Sequence, residues 1–394
     1  MEKGKRELKD HNQKTIAIVI NTSWNIFNFR LTLMKSLREK GYRVVAIAPR
    51  DKYSEKIEQE GFEYHNINMN NKGTNPVEDT RLVYAFYKLY KEIEPDVILQ
   101  YTIKPNIYGS IAAGMLGIPV ISTITGLGTV FLKDSFSSKV AKFLYKVALK
   151  VPKKVFYQNA HDRELFIESN LVKEEKTDLL HGSGIDTERF KPSETKKEKK
   201  ETLQFLFIAR LVKDKGIVEY VRAAEIVQNS DHQSLITNHP KIEFCILGPF
   251  YPGNPTAISE DQMKIWEEEG AVKYLGESDD VMSVINEADC IVLPSYREGL
   301  SRVLLEAASM AKPIITTDVP GCREVVDDGV NGYLCEVKDV DSLAMQMEKM
   351  LLLSDDERRE MGRKGREKVL NEFDGELVIR KYLDTIDELL LSGN

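Results

Sequence analysis

The sequence predicts an α/β protein made of two doubly wound domains in tandem. Short apolar runs alternate with stretches whose apolar residues recur at helical spacing, and this alternation starts again near the middle of the chain. Strands that are separated by helices pair in parallel, because each helix returns the chain to the same end of the sheet. A chain of 394 residues is also too long for one ordinary core, so two domains are expected.

The first half contains five runs typical of buried strands. Between the first two runs, Phe27, Leu31, Met34 and Leu37 fall at helical spacing and predict a helix. The five predicted strands cover residues 15–20, 42–49, 96–102, 119–125 and 154–159. Their alternation with helical patterns is typical of a parallel, doubly wound sheet.

A charged segment divides the two halves. Residues 191–201, KPSETKKEKKE, have no apolar face, which predicts an interdomain linker. Five further strands are predicted after it, at residues 203–209, 242–248, 272–276, 290–294 and 313–317. The expected domains are therefore 1–190 and 191–374, with a C-terminal helix at 375–394 that packs back on the first domain.

The two halves differ in charge. Residues 1–200 carry 34 Lys and Arg against 25 Asp and Glu, whereas residues 201–394 carry 21 against 37. This asymmetry predicts that the first half meets an anionic partner, either a membrane or a nucleic acid. Residues 131–154 contain seven lysines and one acid, with apolar residues at helical spacing among them. Such a basic amphipathic segment is typical of binding to an anionic membrane surface.

An alternative for this segment is that its apolar residues pack on the sheet and its lysines are merely solvated. No nucleic-acid-binding motif occurs in it, so no nucleic-acid partner is expected. Residues 1–15 are polar where a signal peptide has an apolar centre, which predicts a cytoplasmic protein. Together with the basic segment at 131–154, this predicts a peripheral location on the inner face of the cell membrane. The cysteines lack CxxC spacing and are expected to be reduced structural thiols: Cys245, Cys290, Cys322 and Cys335.

Polar side chains follow two of the strands predicted in the second half. Arg210 and Lys215 follow the first of these strands, and Glu298 follows the strand at 290–294, just before a predicted helix start at residues 299–301. In open α/β sheets, ligands bind beyond the carboxyl ends of the strands. Two cations and a helix N-terminus together favour a diphosphate, because all of them donate hydrogen bonds to its oxygens.

Two glutamates beside this anion site predict a ligand with hydroxyl groups. Glu306 lies about 7 Å along the helix from its start, within reach of a ribose. Glu298, before the helix, would face a sugar beyond the diphosphate, so the ligand described is a nucleotide-sugar. The alternative for each charged residue is a solvated surface charge.

The motifs resemble those of family-four retaining glycosyltransferases. EGLSRVLLEA (298–307) is similar to their E-x7-E motif, ARLVKDKG (209–216) to their Arg-x4-Lys diphosphate site, and HGSGIDTERF (181–190) to the glycine-containing segment that ends their N-terminal domain. The resemblance implies a GT-B fold, in which two Rossmann-like domains face each other across a cleft. It also implies a donor held mainly by the C-terminal domain and an acceptor held mainly by the N-terminal one.

A narrower resemblance lies in the segments FNFR, YTIKPNIYGSIAAGMLGIPV, TGLGTVF, FYPGNPTAI and GAVKYLGESDDV. They are similar to bacterial N-acetylgalactosaminyltransferases that extend undecaprenyl-diphosphate-linked sugars. This chain departs from the family in having NTSWNIFNFR in place of the glycine-rich first loop, and Thr125 where many members carry a histidine. The candidates on the acceptor side are therefore Arg30, Lys104 and Thr125, and the first two could equally be surface charges.

The resemblance implies a retaining transfer of a sugar, an N-acetylhexosamine or hexose, from a UDP-sugar to a lipid-linked or other glycan acceptor. Arg210, Lys215 and Glu298 are the implied catalytic residues, with Glu298 orienting the donor sugar. The implied donor-binding residues are Gly184, Glu277, Gly299, Leu300, Ser301 and Glu306. No metal is expected, because the triplet Asp339-Val340-Asp341 precedes a helical pattern and is better interpreted as a helix cap.

Other functions remain open on the sequence. A GT-B sugar-nucleotide 2-epimerase would use the same nucleotide site without an acceptor, and a non-catalytic nucleotide-sugar-binding module would bind without reacting. A dinucleotide oxidoreductase is disfavoured, because no GxGxxG follows either domain's first strand.

Overall fold

The protein folds into two compact α/β units. The computed structural model describes residues 13–70, 75–127, 136–193, 202–230 and 241–392. The first unit comprises Met1–Ser183 with Val378–Asn394, and the second comprises Gly184–Leu377. Most of the predicted linker, residues 194–201, lies outside the described residues.

The first unit contains a seven-stranded, wholly parallel sheet in the order β3-β2-β1-β4-β5-β6-β7. Its strands are β1 (Thr15–Val19), β2 (Arg43–Ala48), β3 (Glu63–Asn66), β4 (Val97–Tyr101), β5 (Val120–Ile124), β6 (Lys154–Tyr157) and β7 (Thr177–Leu179). The central strands are buried on both faces, which explains their uninterrupted apolar runs.

Helices cover both faces of this sheet. They are α1 (Ser23–Phe29), α2 (Leu31–Glu39), α3 (Ser54–Gln59), α4 (Pro76–Ile93), a π-helix (Pro105–Gly109), α5 (Ser110–Leu116), α6 (Phe136–Ala148) and α7 (Ala160–Glu168). Helix α4 shows how the sequence sets its ends: the Asn75 side chain caps it, Pro76 opens it, and Glu94 closes it in the left-handed conformation.

The second unit contains a six-stranded parallel sheet in the order β10-β9-β8-β11-β12-β13. Its strands are β8 (Thr202–Ile208), β9 (Lys241–Leu247), β10 (Lys273–Tyr274), β11 (Cys290–Leu293), β12 (Ile314–Thr317) and β13 (Gly332–Cys335). Its helices are α8 (Ile217–Asn229), α9 (Glu260–Glu268), α10 (Val281–Glu287), α11 (Arg302–Ser309), α12 (Val340–Leu352) and α13 (Asp355–Glu372).

The α/β class with parallel sheets is confirmed, but three short edge strands were not predicted. Strands β3 and β7 lack a continuous apolar run, which is the signal the prediction needs, and the run in β13 is only three residues long. All three strands contain half-exposed residues. On β3, for example, Glu63 is held by Arg43 of the neighbouring strand through both carboxylate oxygens. An edge strand is stabilised by such cross-strand pairs as well as by burial.

No helix within the described residues is long and apolar enough to cross a membrane. Residues 105–132 carry no charged side chain. Their described part, however, is divided between the π-helix, α5 and β5, so it does not form one continuous helix.

The last helix, α14 (Gly375–Ser392), packs against the first unit. Its side chains Val378, Ile379, Tyr382 and Ile386 join the core formed under β1, β2 and β4. The hydroxyl of Tyr382 lies 2.7 Å from that of Thr123 on β5, and both residues are buried. The second half of the sequence therefore supplies part of the first unit's core.

Replacing Tyr382 should destabilise the first unit. Tyr382→Ala removes a buried aromatic ring and should cost about 3–5 kcal/mol of unfolding free energy. Tyr382→Phe keeps the ring but loses the hydrogen bond between its hydroxyl and that of Thr123, which should lower the unfolding free energy by about 1 kcal/mol. Chemical denaturation measures both, with Leu391→Ala as the control because Leu391 is 78% exposed on the same helix. Equal stability of Tyr382→Ala and the control would contradict this packing.

Candidate functional site

Two loops stand side by side at the carboxyl ends of β8 and β11, which are neighbours in the second sheet. The first loop, residues 209–216, ends at Gly216 with φ of +76°. A β-carbon at Gly216 would lie 2.0 Å from the carbonyl oxygen of Pro294, so only glycine permits the approach. The loops are joined further by a hydrogen bond of 2.9 Å from the Tyr296 N–H to the Asp214 carbonyl.

The structure brings together two of the predicted catalytic residues. Lys215 donates a short hydrogen bond from Nζ to Oε1 of Glu298, and the two side chains are 19% and 15% exposed. The sequence suggested that each would face a ligand; instead, each neutralises the other. A diphosphate that reached Lys215 would therefore compete with the Glu298 carboxylate for it.

A third loop fixes the backbone of Glu298. Gly321, with φ of +84°, lies so close that a β-carbon there would approach the Glu298 carbonyl oxygen to 2.4 Å. The Glu298 N–H donates to Pro320 at 3.1 Å, and the Ser301 N–H donates to Gly321 at 2.8 Å. The Ser301 N–H, which was expected to face a diphosphate, thus donates to a carbonyl of the protein in this structure. Gly299 and Leu300 are half-buried beside it.

Glu306 lies in the second turn of α11 and is only 9% exposed. Its Oε1 accepts a hydrogen bond of 2.8 Å from Nε of Arg302, one turn earlier. Burial raises the pKa of the Glu306 carboxyl above its usual value, and the neighbouring Arg302 partly offsets this. Arg302 was not predicted, although its i, i+4 spacing from Glu306 is visible in the sequence.

Arg210 differs from Lys215 in being exposed. Its guanidinium lies 4.8 Å from the centre of the Tyr251 ring, which the loop after β9 supplies. Arg210 makes no ion pair with any described residue, so its charge is available to an anionic ligand. Tyr251 had no separate signal in the sequence, because a lone tyrosine in a loop does not indicate a partner.

The other two donor-side candidates lie in turns. Gly184 is buried with φ of +70°, at the start of the second unit. Glu277 is exposed and follows Gly276, whose carbonyl accepts the Gly248 N–H at 2.9 Å. Within the described part of the chain, neither residue contacts the Lys215–Glu298 pair through a hydrogen bond or an ion pair.

The acceptor-side candidates have different surroundings in the first unit. Arg30 is 5% exposed, and its guanidinium lies 4.2 Å from the centre of the Tyr101 ring, so it is not a surface charge. Lys104 is also largely buried and pairs with Asp79 at 3.1 Å. Thr125 is half-buried just after β5.

The segment that carries Lys104 has an unusual backbone. Thr102, directly after β4, has φ of +65°, which is rare for a β-branched residue because its side chain crowds the backbone. The π-helix Pro105–Gly109 begins three residues later. Strained residues and π-helices both concentrate at functional sites. Sequence patterns did not predict either feature.

The residues considered for metal binding have structural roles. Asp339 caps α12 by accepting the Ser342 N–H at 2.8 Å, which confirms the interpretation of the Asp339–Asp341 triplet as a helix cap. Among the described residues, no group of three His, Cys, Asp or Glu side chains is placed to hold a metal ion. The four cysteines are buried and unpaired, as predicted.

Family models match both units of the chain. The model described as glycosyl transferases group 1 matches residues 186–368, and that described as glycosyl transferase 4-like matches residues 15–159. The two ranges together span most of the sequence, and they lie in the order of the two units.

Individual relatives are similar over nearly the whole chain. A Campylobacter jejuni N,N'-diacetylbacillosaminyl-diphospho-undecaprenol alpha-1,3-N-acetylgalactosaminyltransferase is 26% identical over 95% of this chain and 99% of its own. An Escherichia coli UDP-Gal:alpha-D-GlcNAc-diphosphoundecaprenol alpha-1,3-galactosyltransferase is 27% identical over 80% of each chain.

Solved structures share the fold. A glycosyltransferase from Rickettsia africae superposes with a TM-score of 0.77 at 19% identity, over 96% of this chain and 99% of its own. Anabaena HepE in complex with UDP-glucose superposes with a TM-score of 0.75 at 18% identity, over 95% and 99%.

Two parallel-sheet units, with a strand-end site in the second, have the GT-B fold of these solved glycosyltransferases. The chain belongs to the family-four retaining glycosyltransferases, as its group 1 and 4-like matches and its motifs agree. It is therefore an enzyme that transfers sugar.

The buried Glu306 should make stability depend on pH. An acid whose pKa is raised on folding loses stability as the pH rises through that pKa, because its ionised form is less favourable in the folded chain. Glu306→Gln should therefore gain stability relative to the wild type as the pH rises from the ordinary glutamate value of 4.5. The gain should grow with pH, and each 1 kcal/mol of it would appear as about 2–4 °C in Tm for a domain of this size.

Thermal denaturation over a pH series measures this difference. Glu268→Gln is the control, because Glu268 is exposed on α9 and should show no such trend. A Tm difference for Glu306→Gln that is constant with pH would contradict the effect of burial on Glu306.

Proposed function

We propose that the enzyme transfers an N-acetylhexosamine or hexose from a UDP-sugar to a polyprenyl-diphosphate-linked glycan in bacterial surface polysaccharide assembly. The observation that carries this proposal is the similarity to the Campylobacter jejuni enzyme along 95% of the chain. The Escherichia coli relative also acts on an undecaprenol-diphosphate-linked sugar, and its name specifies UDP-galactose as donor. Similarity across both units supports the same kinds of donor and acceptor here.

The donor site is proposed at the three loops around Glu298. Arg210 would bind the diphosphate, and Lys215 would exchange its Glu298 partner for a diphosphate oxygen. Negative charge develops on the diphosphate as the sugar departs, so a cation placed there stabilises the transition state more than the ground state. Release from Lys215 would leave the Glu298 carboxylate to accept hydrogen bonds from the donor sugar.

Glu306 is proposed to bind ribose through its carboxylate, near residues 299–301. Gly184 and Glu277 are proposed to approach the nucleotide from the turns described above. The family retains anomeric configuration, and we assign Glu298 an orienting role rather than a nucleophilic one.

The two alternatives from the sequence differ from transfer in their need for an acceptor. The relatives named above are described as transferases, and none as an epimerase. A 2-epimerase would release or interconvert sugar without an acceptor, and a binding module would consume no donor. Donor turnover that requires a lipid-linked acceptor separates transfer from both.

If Lys215 exchanges Glu298 for the diphosphate, replacing Lys215 and replacing Glu298 should have different effects on the binding of free UDP. Lys215→Ala should weaken the binding of UDP and lower kcat/KM, each about 10- to 100-fold. The reason is that it removes a charged hydrogen bond and leaves Glu298 unneutralised. Glu298→Ala should leave the binding of UDP unchanged or make it tighter, because Lys215 then has no carboxylate partner. The same change should weaken the binding of the intact UDP-sugar. Calorimetry with UDP and with the UDP-sugar measures both effects.

Lys213→Ala is the matched control, because Lys213 is exposed in the same loop. If Glu298→Ala weakened the binding of UDP as much as Lys215→Ala does, the proposal that Lys215 exchanges Glu298 for the diphosphate would be wrong. Such a result would mean that the pair only supports the loops.

Membrane binding is proposed through the outer face of α6. Residues 131–135 of the predicted basic segment lie outside the described residues. In the described part, Tyr145 and Ala148 face the core, whereas Phe143 is 66% and Val147 41% exposed. Lys139 and Lys146 are exposed on the same helix. Part of the apolar stripe thus packs on the sheet, and two apolar side chains remain outside among lysines, which is the pattern of an interfacial helix.

Reversing charge on α6 should release the protein from anionic vesicles. Each lysine near the surface contributes about 1 kcal/mol of attraction, so Lys139→Glu, Lys142→Glu and Lys146→Glu together should abolish salt-sensitive flotation. Activity on a short water-soluble acceptor should be preserved. The control changes Lys264, Lys273 and Lys349 of the second unit to Glu, an equal change in net charge. Flotation that is indifferent to lipid charge, or equally reduced by the control, would refute the role of α6.

A further inference from the structure

The loop after β9 carries an aromatic ring that the core of the second unit does not use. Tyr251 is 41% exposed, and its hydroxyl makes no hydrogen bond with any residue that the structure describes. A single exposed aromatic residue needs no explanation by itself, because such residues are common on protein surfaces. This ring, however, lies 4.8 Å from the guanidinium of Arg210, the residue proposed to bind the donor diphosphate.

A tight turn fixes the backbone of Tyr251. The sequence Tyr251-Pro252-Gly253-Asn254 has proline at its second position and glycine at its third, which is the pattern of a type II turn. In the structure the Asn254 N–H donates to the Tyr251 carbonyl at 3.2 Å, and Gly253 has φ of +86°. Proline locks its own φ, so the turn has few alternative conformations.

Hydrogen bonds join this loop to the loop that contains the arginine. Before the turn, the Leu211 N–H donates to the Pro249 carbonyl at 3.0 Å. After the turn, the Lys213 N–H donates to the Thr256 carbonyl at 2.8 Å. Tyr251 lies between these two connections, so the backbones that carry the ring and the guanidinium are fixed relative to each other.

The contact with the ring leaves the hydrogen-bond donors of Arg210 available. A guanidinium has five N–H donors, and its attraction to the face of an aromatic ring uses the charge and none of these N–H groups. The two cations of the site are therefore held by different means. A ligand must displace Glu298 to reach Lys215, whereas it can bind Arg210 with Tyr251 still in place.

Holding the arginine in advance should favour binding of a phosphate. A long arginine side chain has many rotamers, and ordering it on a ligand costs conformational entropy. A contact that restricts the side chain before the ligand arrives lowers this cost. We propose that Tyr251 is a positioning residue for sugar transfer, which holds the Arg210 guanidinium ready for the donor diphosphate. This inference rests on the proposed function, because Tyr251 acts through the arginine assigned to the diphosphate there.

A double-mutant cycle tests the inference, with the binding of UDP measured by calorimetry. Tyr251→Leu keeps an apolar side chain but has no aromatic face, so it should weaken the binding of UDP about two- to fivefold, as expected for an exposed cation–π contact. The same change should have no effect in a protein that already carries Arg210→Ala, because the residue through which it acts is then absent. Tyr251→Phe keeps the ring and should bind UDP as the wild type does.

Two controls separate positioning from a general effect on the fold. Tyr333→Leu removes another ring that faces a cation, 5.8 Å from Lys349, on a strand four places from β9 in the sheet, and it should leave the binding of UDP unchanged. Uridine lacks the diphosphate, so Tyr251→Leu should leave the binding of uridine, followed by ligand-observed NMR, unchanged.

Unchanged UDP binding in Tyr251→Leu would overturn the inference, as would equal weakening with and without Arg210. Equal weakening of UDP and uridine would also overturn it, because the ring would then contact the nucleoside. If Arg210→Ala itself left the binding of UDP unchanged, the proposed diphosphate site would fail and the inference with it. If Arg210→Ala weakened the binding of UDP and Tyr251→Leu did not, only the inference would fail.

Discussion

The ion pair between Lys215 and Glu298 is the interaction on which the site in the second unit depends. Removing two charges from water is costly, and here the cost is met because three loops hold the partners in contact. Gly216 lets the first loop touch Pro294, and Gly321 lets the third support the backbone of Glu298. The surrounding architecture is therefore specialised to place one carboxylate. The Lys215–Glu298 pair is neutral until a ligand with its own charge competes for the lysine.

Much of the fold was predictable because it depends on local patterns. Buried parallel strands show as apolar runs, and glycines, cap residues and charged motifs mark the strand ends, so β8, β11 and the positions of Arg210, Lys215, Glu298 and Glu306 followed from the sequence. Partnerships did not follow. That Lys215 binds Glu298, or that Gly321 occupies the Ser301 N–H, depends on contacts between distant segments, which periodicity does not encode.

The first unit also contains a contact that the sequence did not predict. Arg30 was expected to be either a ligand contact or a surface charge, yet it is buried against the Tyr101 ring. A cation can be buried in this way because the face of an aromatic ring is electron-rich, and only the folded chain reveals which ring is near. The strained Thr102 and the following π-helix lie in the adjoining segment. Neither feature has a signature in the sequence patterns that predict helices and strands.

The packing of α14 on the first unit has a consequence for how the polypeptide folds during synthesis. Translation proceeds from the N-terminus, and domains generally fold as they emerge from the ribosome. Here the core around Tyr101 and Phe156 receives Tyr382 only after the whole second unit has been made. The first unit must therefore wait with part of its apolar surface uncovered, while the second, contiguous in sequence, can complete its core at once. The first unit's core is therefore complete only after the whole chain through α14 has been synthesised.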